Sequence, residues 1–269
     1  MNKTTTLDPA VLNPNFSYKG QHYDPAVGAV IGIIQSRGLG DLFIALPIAR
    51  WYHDRGHTVY WPICEEFYAT MTACAPWVKW IRMKTDSRGD FFWSSAKKAL
   101  KYIVAEEDHI CLYQYLSGGL YTSDPDIFPI LKFDQYKYAA AGVPFLEKWR
   151  LGDCLVRDRA EEDRVYNTVV KKPKYIVAHL EGSDSRVELD FREAIQQGYQ
   201  VVEIREGVTQ NATAWLRVIE GAECLYMIDS CYSNLVDQLG ISVEKTFIRR
   251  SKMDLTPVLG GEWSYMSPP

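Results

Sequence analysis

The chain has 269 residues, 47% of them hydrophobic and 24% charged, with a formal net charge of −4. This composition fits a soluble globular chain with ample core, enough for one large domain or two of medium size. It excludes a helical membrane span, because the longest apolar runs, 29–34 and 42–48, fall far short of the roughly eighteen residues needed.

Residues 1–24 are polar and contain proline, with no apolar core of signal-peptide length, so an N-terminal arm is expected rather than a secretory leader. The six cysteines at 64, 74, 111, 154, 224 and 231 form no C-x-x-C pair. Reduced thiols and a cytoplasmic location follow as expectations.

Short runs rich in Val, Ile and Tyr then alternate with longer mixed segments. They are AVIGII (29–34), HTVYWPI (57–63), VKWIRM (78–83) and HICLYQY (109–115), then KYIVAHL (174–180), YQVVEI (199–204), ECLYMID (223–229) and VEKTFI (243–248). With helical segments between them, that rhythm predicts parallel sheets in an α/β fold. It lapses for some fifty residues after 115 and resumes at Lys174, after an acidic surface helix near 157–169. A boundary is therefore expected between 155 and 172, with a strand-helix unit on either side. No repeat or low-complexity tract occurs.

Charge is unevenly placed along this layout. Residues 1–150 carry sixteen Lys/Arg against fifteen Asp/Glu, a net of +1, which leaves −5 for 151–269. Seven Lys/Arg fall between Lys79 and Lys101. They make either a solvated helix face or a surface able to hold a phosphate-bearing partner.

The first strand run empties into SRGLGD before an apolar helix, Leu42 onward. Gly38 and Gly40 open backbone angles closed to other residues and allow close approach to the main chain. Asp41 stands at or near the helix N-cap, a favoured place for a carboxylate. Spacing alone leaves two readings open: a capped tight turn, or a ligand-facing acid at the carboxyl end of a parallel strand. A dinucleotide fingerprint needs Gly or Ala at position 43, where Phe43 stands, and no G-K-[ST] Walker loop exists.

The stretch RGLGDLFIALPIARWYHDRGHTVYWPI (37–63) resembles the opening of the heptosyltransferase-like glycosyltransferases of family 9, two-domain GT-B enzymes. The shared features are a first strand running into a G-D turn, a helix with an internal proline (Pro47) and a second strand. A looser echo lies in KYIVAHLEGSDSR, YQVVEIREG and AECLYMIDSCYSNLVDQLG. The resemblance implies two Rossmann-like domains facing each other across a cleft, 25–160 for the acceptor and 161–269 for a nucleotide-sugar donor. The second would be pared down to about four strands within 173–250.

By position, the resemblance implies Asp41 as catalytic base. It matches Arg186 to the family's basic residue, Glu206 to its glutamate, and Asp229 with Ser230 to the start of the D-[ST]-G-x-x-H loop. Cys231 replaces the glycine of that loop and Asn234 its histidine.

Transfer from a nucleotide sugar needs a base for the acceptor hydroxyl, stabilisation of the diphosphate and alignment of both substrates. Asp41 can supply the first. Backbone N–H groups of the helix after Asp229-Ser230, helped by Arg186, can face an anion. Glu206 suits ribose hydroxyls, and His179 either bonds a phosphate or caps its strand. Acceptor contacts are expected from Glu65 and Glu66 after the second strand, and from Tyr113 and Ser117 after the fourth. Trp51, Trp61, Trp77, Trp80 and Trp93 are either core or stacking surfaces. No His/Cys/Asp/Glu cluster has metal-ligand spacing, so neither metal nor cofactor is expected.

The expected activity is thus metal-independent, inverting glycosyl transfer to a saccharide or lipid-linked acceptor. One alternative keeps the chemistry on a modified nucleobase in DNA, as in small viral glycosyltransferases, on the strength of the basic 79–101 stretch. Another is a nucleotide- or sugar-binding protein without catalysis, which Cys231 and Asn234 suggest.

Overall fold

A computed structural model describes residues 28–84, 99, 102, 109–112, 131–183, 185–250 and 256–267. The chain divides into two compact units between Cys154 and Leu155.

The first unit is built on a parallel sheet of order β3-β2-β1-β4, from β1 (Val30–Ile34), β2 (Thr58–Cys64), β3 (Lys79–Met83) and β4 (His109–Cys111). Ile31, Ile33 and Ile34 of β1 are wholly buried, as expected of a central strand covered on both faces. Helix α1 (Leu39–His53) buries every residue from Leu42 to Ala49, so it lies in the core rather than on it. Pro47 sits inside α1. Pro62 sits inside β2, past Gly32↔Tyr60, the last register pair with β1. Helix α2 (Glu65–Cys74) follows β2 directly, and α3 (Phe133–Ala140) packs with a 3-10 stretch, Phe145–Asp153, and with α1. All six cysteines are free thiols.

The second unit carries a parallel sheet of order β6-β5-β7-β8-β9, from β5 (Tyr175–His179), β6 (Gln200–Glu203), β7 (Cys224–Ile228), β8 (Glu244–Ile248) and β9 (Ser264–Met266). Helix α4 (Arg159–Val169) belongs to this unit and packs on a 3-10 turn, Ala212–Trp215, and on helix α6 (Leu216–Glu220). Its N-cap, Asp158, accepts a hydrogen bond from the Glu161 N–H at 3.0 Å. Helix α5 (Arg192–Gln196) leads to β6, and helix α7 (Cys231–Gln238) follows β7.

The sheet has the four strands expected within 173–250, β5 to β8, and a fifth beyond them. The fifth comes from the C-terminal segment, where the buried Asp237 carboxylate of α7 accepts the Gly260 N–H at 2.9 Å and the Trp263 indole N–H at 3.0 Å. Those bonds hold Ser264–Met266 beside β8. A three-residue strand after two glycines leaves no periodic trace in sequence. Among the described residues, no helix is long and apolar enough to cross a membrane.

Candidate functional site

In open parallel sheets, ligand sites lie outside the carboxyl ends of strands where the strand order reverses. In the first sheet that switch falls between β1 and β4, and in the second between β5 and β7.

At the first switch, Gln35, Ser36 and Arg37 leave β1 buried. The Trp61 indole donates to the Gln35 carbonyl at 2.8 Å, and the Cys64 N–H donates to the Ser36 carbonyl at 2.9 Å. The chain then turns at Gly38, φ +83°, which is the N-cap of α1. That angle suits glycine, and a Cβ there would run into the Asp41 carboxylate. Asp41 stands in the first turn of α1, with its acid near the positive end of the helix. Gly40 has no such need: it lies within α1 and is not among the glycines of positive φ, contrary to the expectation that both glycines shape the turn.

The Asp41 side chain is 28% exposed, and its Oδ1 lies 3.1 Å from Nζ of Lys137, a buried residue of α3. The same ammonium donates to Gln35 Oε1 at 2.6 Å and to the Leu112 carbonyl, just past β4, at 3.1 Å. Lys137 and Gln35 do not emerge from motif reasoning. The available signal is a lone lysine between two tyrosines on an aromatic and alanine-rich helix, YKYAA.

Glu65 and Glu66 open α2 as exposed acids. Glu66 meets Arg37 at 3.4 Å, and Glu65 pairs with Arg82 of β3. Tyr113, Ser117, Trp93 and the arm 1–24 lie outside the described residues, as do Arg88, Lys97, Lys98 and Lys101 of the basic stretch. Its described members Lys79, Arg82 and Lys84 are exposed. Of the tryptophans, Trp61 is wholly buried and stacks on Trp80 at 5.1 Å.

At the second switch, Ser230 is the N-cap of α7. Its hydroxyl oxygen accepts the Tyr232 N–H at 3.3 Å, and the Ser230 N–H donates to Ser233 Oγ at 3.0 Å, closing a capping box. His179, the last residue of β5, places Nδ1 2.9 Å from Ser230 Oγ and its ring 4.7 Å from that of Tyr232, edge to face. Burial pushes the His179 ring down to about 4, against a smaller upward pull from Glu203, so it is neutral at pH 7. The neutral ring and the Ser230 hydroxyl share this hydrogen bond, with the ring tautomer deciding which of the two donates.

Asp229 is buried, with its N–H bonded to the Ile248 carbonyl at 3.0 Å. Asn234 turns its amide N–H₂ back to the Ser230 carbonyl at 2.9 Å. Its Oδ1 is buried without a partner among the described residues. Burial pushes the Cys231 thiol up to about 12, which keeps it un-ionised.

Arg186 stands on a short hairpin after β5, bridged to Glu181, and its guanidinium lies 3.5 Å from Glu203 at the end of β6. An open pocket of about 310 Å³ is lined by Arg186, Glu203, Leu180, Val187, Phe191 and Val201. Glu206 is exposed in the turn beyond β6. The carboxylates that meet Arg186 are Glu203 at 3.5 Å and Glu181 at 3.8 Å, neither of which the motif reading singles out. Among the described residues, no group of three or more His, Cys, Asp or Glu is placed to hold a metal ion.

No family model and no curated protein sequence matches the chain significantly. Solved structures do. The chain is similar to a structure described as glycosyl transferase family 9 from Veillonella parvula DSM 2008, with a TM-score of 0.54 and 12% identity over 94% of this chain and 87% of that one. It is also similar to the dodecameric iron-containing glycosyltransferase TibC from enterotoxigenic E. coli H10407, with a TM-score of 0.51 and 13% identity over 89% of this chain. It spans 62% of the TibC chain. A TibC structure in complex with ADP-D-β-D-heptose matches at a TM-score of 0.50. The structural neighbours are thus glycosyltransferases, and what the chain shares with them at this identity is the fold.

Proposed function

We propose that the chain is a GT-B glycosyltransferase that moves a sugar from a nucleoside-diphosphate sugar to an acceptor hydroxyl with inversion, using Asp41 as base. The observation that carries this reading is the placement of Asp41. A partly exposed carboxylate stands at the switch point of a family 9-like fold, in the first turn of α1 and held by a buried lysine.

In the proposed step an Asp41 carboxylate oxygen takes the acceptor proton. The freed oxygen attacks the anomeric carbon as the bond to the diphosphate breaks, and a single displacement inverts that centre. The diphosphate would settle near the N-terminus of α7, beside Asp229 and Ser230, with Arg186 as cation and Glu203 or Glu206 facing the ribose. Because His179 is neutral, its contribution there is a hydrogen bond and not a charge. The TibC complex with a nucleotide sugar supports a donor of that class. We take the acceptor to be a saccharide or lipid-linked glycan, met in the cytoplasm where six thiols stay reduced.

The test is release of nucleoside diphosphate from a panel of nucleotide sugars, with and without EDTA, by the wild type and Asp41→Asn. The expected result is turnover insensitive to EDTA that falls about 10²- to 10⁴-fold in Asp41→Asn while nucleotide binding persists. Binding without turnover in the wild type would instead identify a non-catalytic sugar-nucleotide receptor.

A further inference from the structure

Among the described residues, the buried Lys137 ammonium donates to Gln35 Oε1 at 2.6 Å and to the Leu112 carbonyl at 3.1 Å, and it forms an ion pair with Asp41 Oδ1 at 3.1 Å. These groups come from three places. Gln35 is the first residue beyond β1, Leu112 the first beyond β4, and Asp41 lies in the first turn of α1. Lys137 therefore ties the two strands that flank the switch point to the acid that stands over it.

Gln35 is itself fixed. Its amide donates to the Arg37 carbonyl at 2.8 Å, and its own carbonyl accepts from Trp61, so its Oε1 is aimed at Lys137 by the β1–α1 loop. Asp41 is the most exposed member of this chain of contacts, which ends in solvent at one carboxylate.

We propose that Lys137 is the positioning residue for Asp41. Through Oδ1 it sets the carboxylate's rotamer at the mouth of the switch point, and Gln35 orients Lys137 in turn. The inference rests on the reading of Asp41 as base. An acid aligned in advance abstracts a proton without first paying the entropy of finding its rotamer, so the effect falls on the chemical step and not on substrate binding.

The experiment is a double-mutant cycle on the full chain with Lys137→Met and Asp41→Asn, following kcat and both KM values. Lys137→Met is expected to lower kcat by about tenfold to a hundredfold with both KM values within about twofold. In the Asp41→Asn background the same substitution is expected to cost nothing more, because Lys137 acts through the group already removed. A further loss in that background, or a Lys137→Met enzyme with wild-type kcat, overturns the inference. Unchanged turnover in Asp41→Asn would overturn the base reading itself, and the two failures are thereby distinct.

A second measurement does not depend on Lys137→Met folding. In protein labelled with ¹⁵N-lysine, the slowly exchanging signal of the buried Lys137 ammonium should shift in Asp41→Asn. An unmoved signal would show that the pair is not formed in solution and would overturn the proposal.

Discussion

His179 Nδ1 lies 2.9 Å from the hydroxyl oxygen of Ser230, so the end of β5 is joined to the N-cap of α7 across the reversal in strand order. In the unfolded chain His179 takes a proton near pH 6.5, but in the folded unit only near 4, because burial disfavours the charged ring. Between those values the unfolded state binds more protons, so stability is full above pH 6.5 and is lost as the pH falls toward 4. The slope approaches about 1.4 kcal/mol per pH unit for a full proton. Urea midpoints at pH 7 and pH 5 should therefore differ more for the wild type than for His179→Gln, which keeps a polar partner for Ser230 and has nothing to titrate.

Gly38→Ala forces a side chain onto a φ of +83° and toward the Asp41 carboxylate. We expect a loss of about 1–3 kcal/mol in stability. Turnover should fall as well, since Asp41 must swing aside. Thermal denaturation and nucleotide-release rates measure the two effects separately.

Lys148 and Asp134 form an ion pair of 2.7 Å with both side chains wholly buried, joining the 3-10 stretch Phe145–Asp153 to α3. Removing one partner leaves a charge with no water to solvate it. Lys148→Met should therefore cost about 3–5 kcal/mol in urea denaturation. Lys148→Met with Asp134→Leu should recover a large part of that loss, because the uncompensated charge is gone.

Asp237→Ala removes the acceptor for the Gly260 and Gly261 N–H groups and for the Trp263 indole. Amides of 260–266 should exchange markedly faster with solvent than those of β5 and β7, at an overall cost of about 1–3 kcal/mol. Equal protection of that segment in mutant and wild type would show that β9 is held by its ladder to β8 alone.

The sequence by itself determined the strands whose residues need burial on both faces. Seven of the eight Val-, Ile- and Tyr-rich runs contain β1 and β3 to β8, and the run 57–63 holds all of β2 but Cys64, because an apolar run of that length bounded by Gly, Pro or charge has few other ways to leave water. It also marked the turn at Gly38, since a glycine between a buried strand and a buried helix is a local requirement of backbone geometry. Short motifs behave alike: Asp41 lies two residues inside α1, and Ser230 is the residue before α7.

What only the tertiary structure decided is the company those residues keep. Lys137 reaches Gln35 across 102 positions, Glu203 and not Glu206 meets Arg186, and Asp237 draws a fifth strand from beyond Gly260. Periodicity reports whether a face is wet or dry over a few turns. It carries nothing about which buried amine will meet which carboxylate, because that pairing is settled by how the elements pack and by the cost of leaving either charge alone.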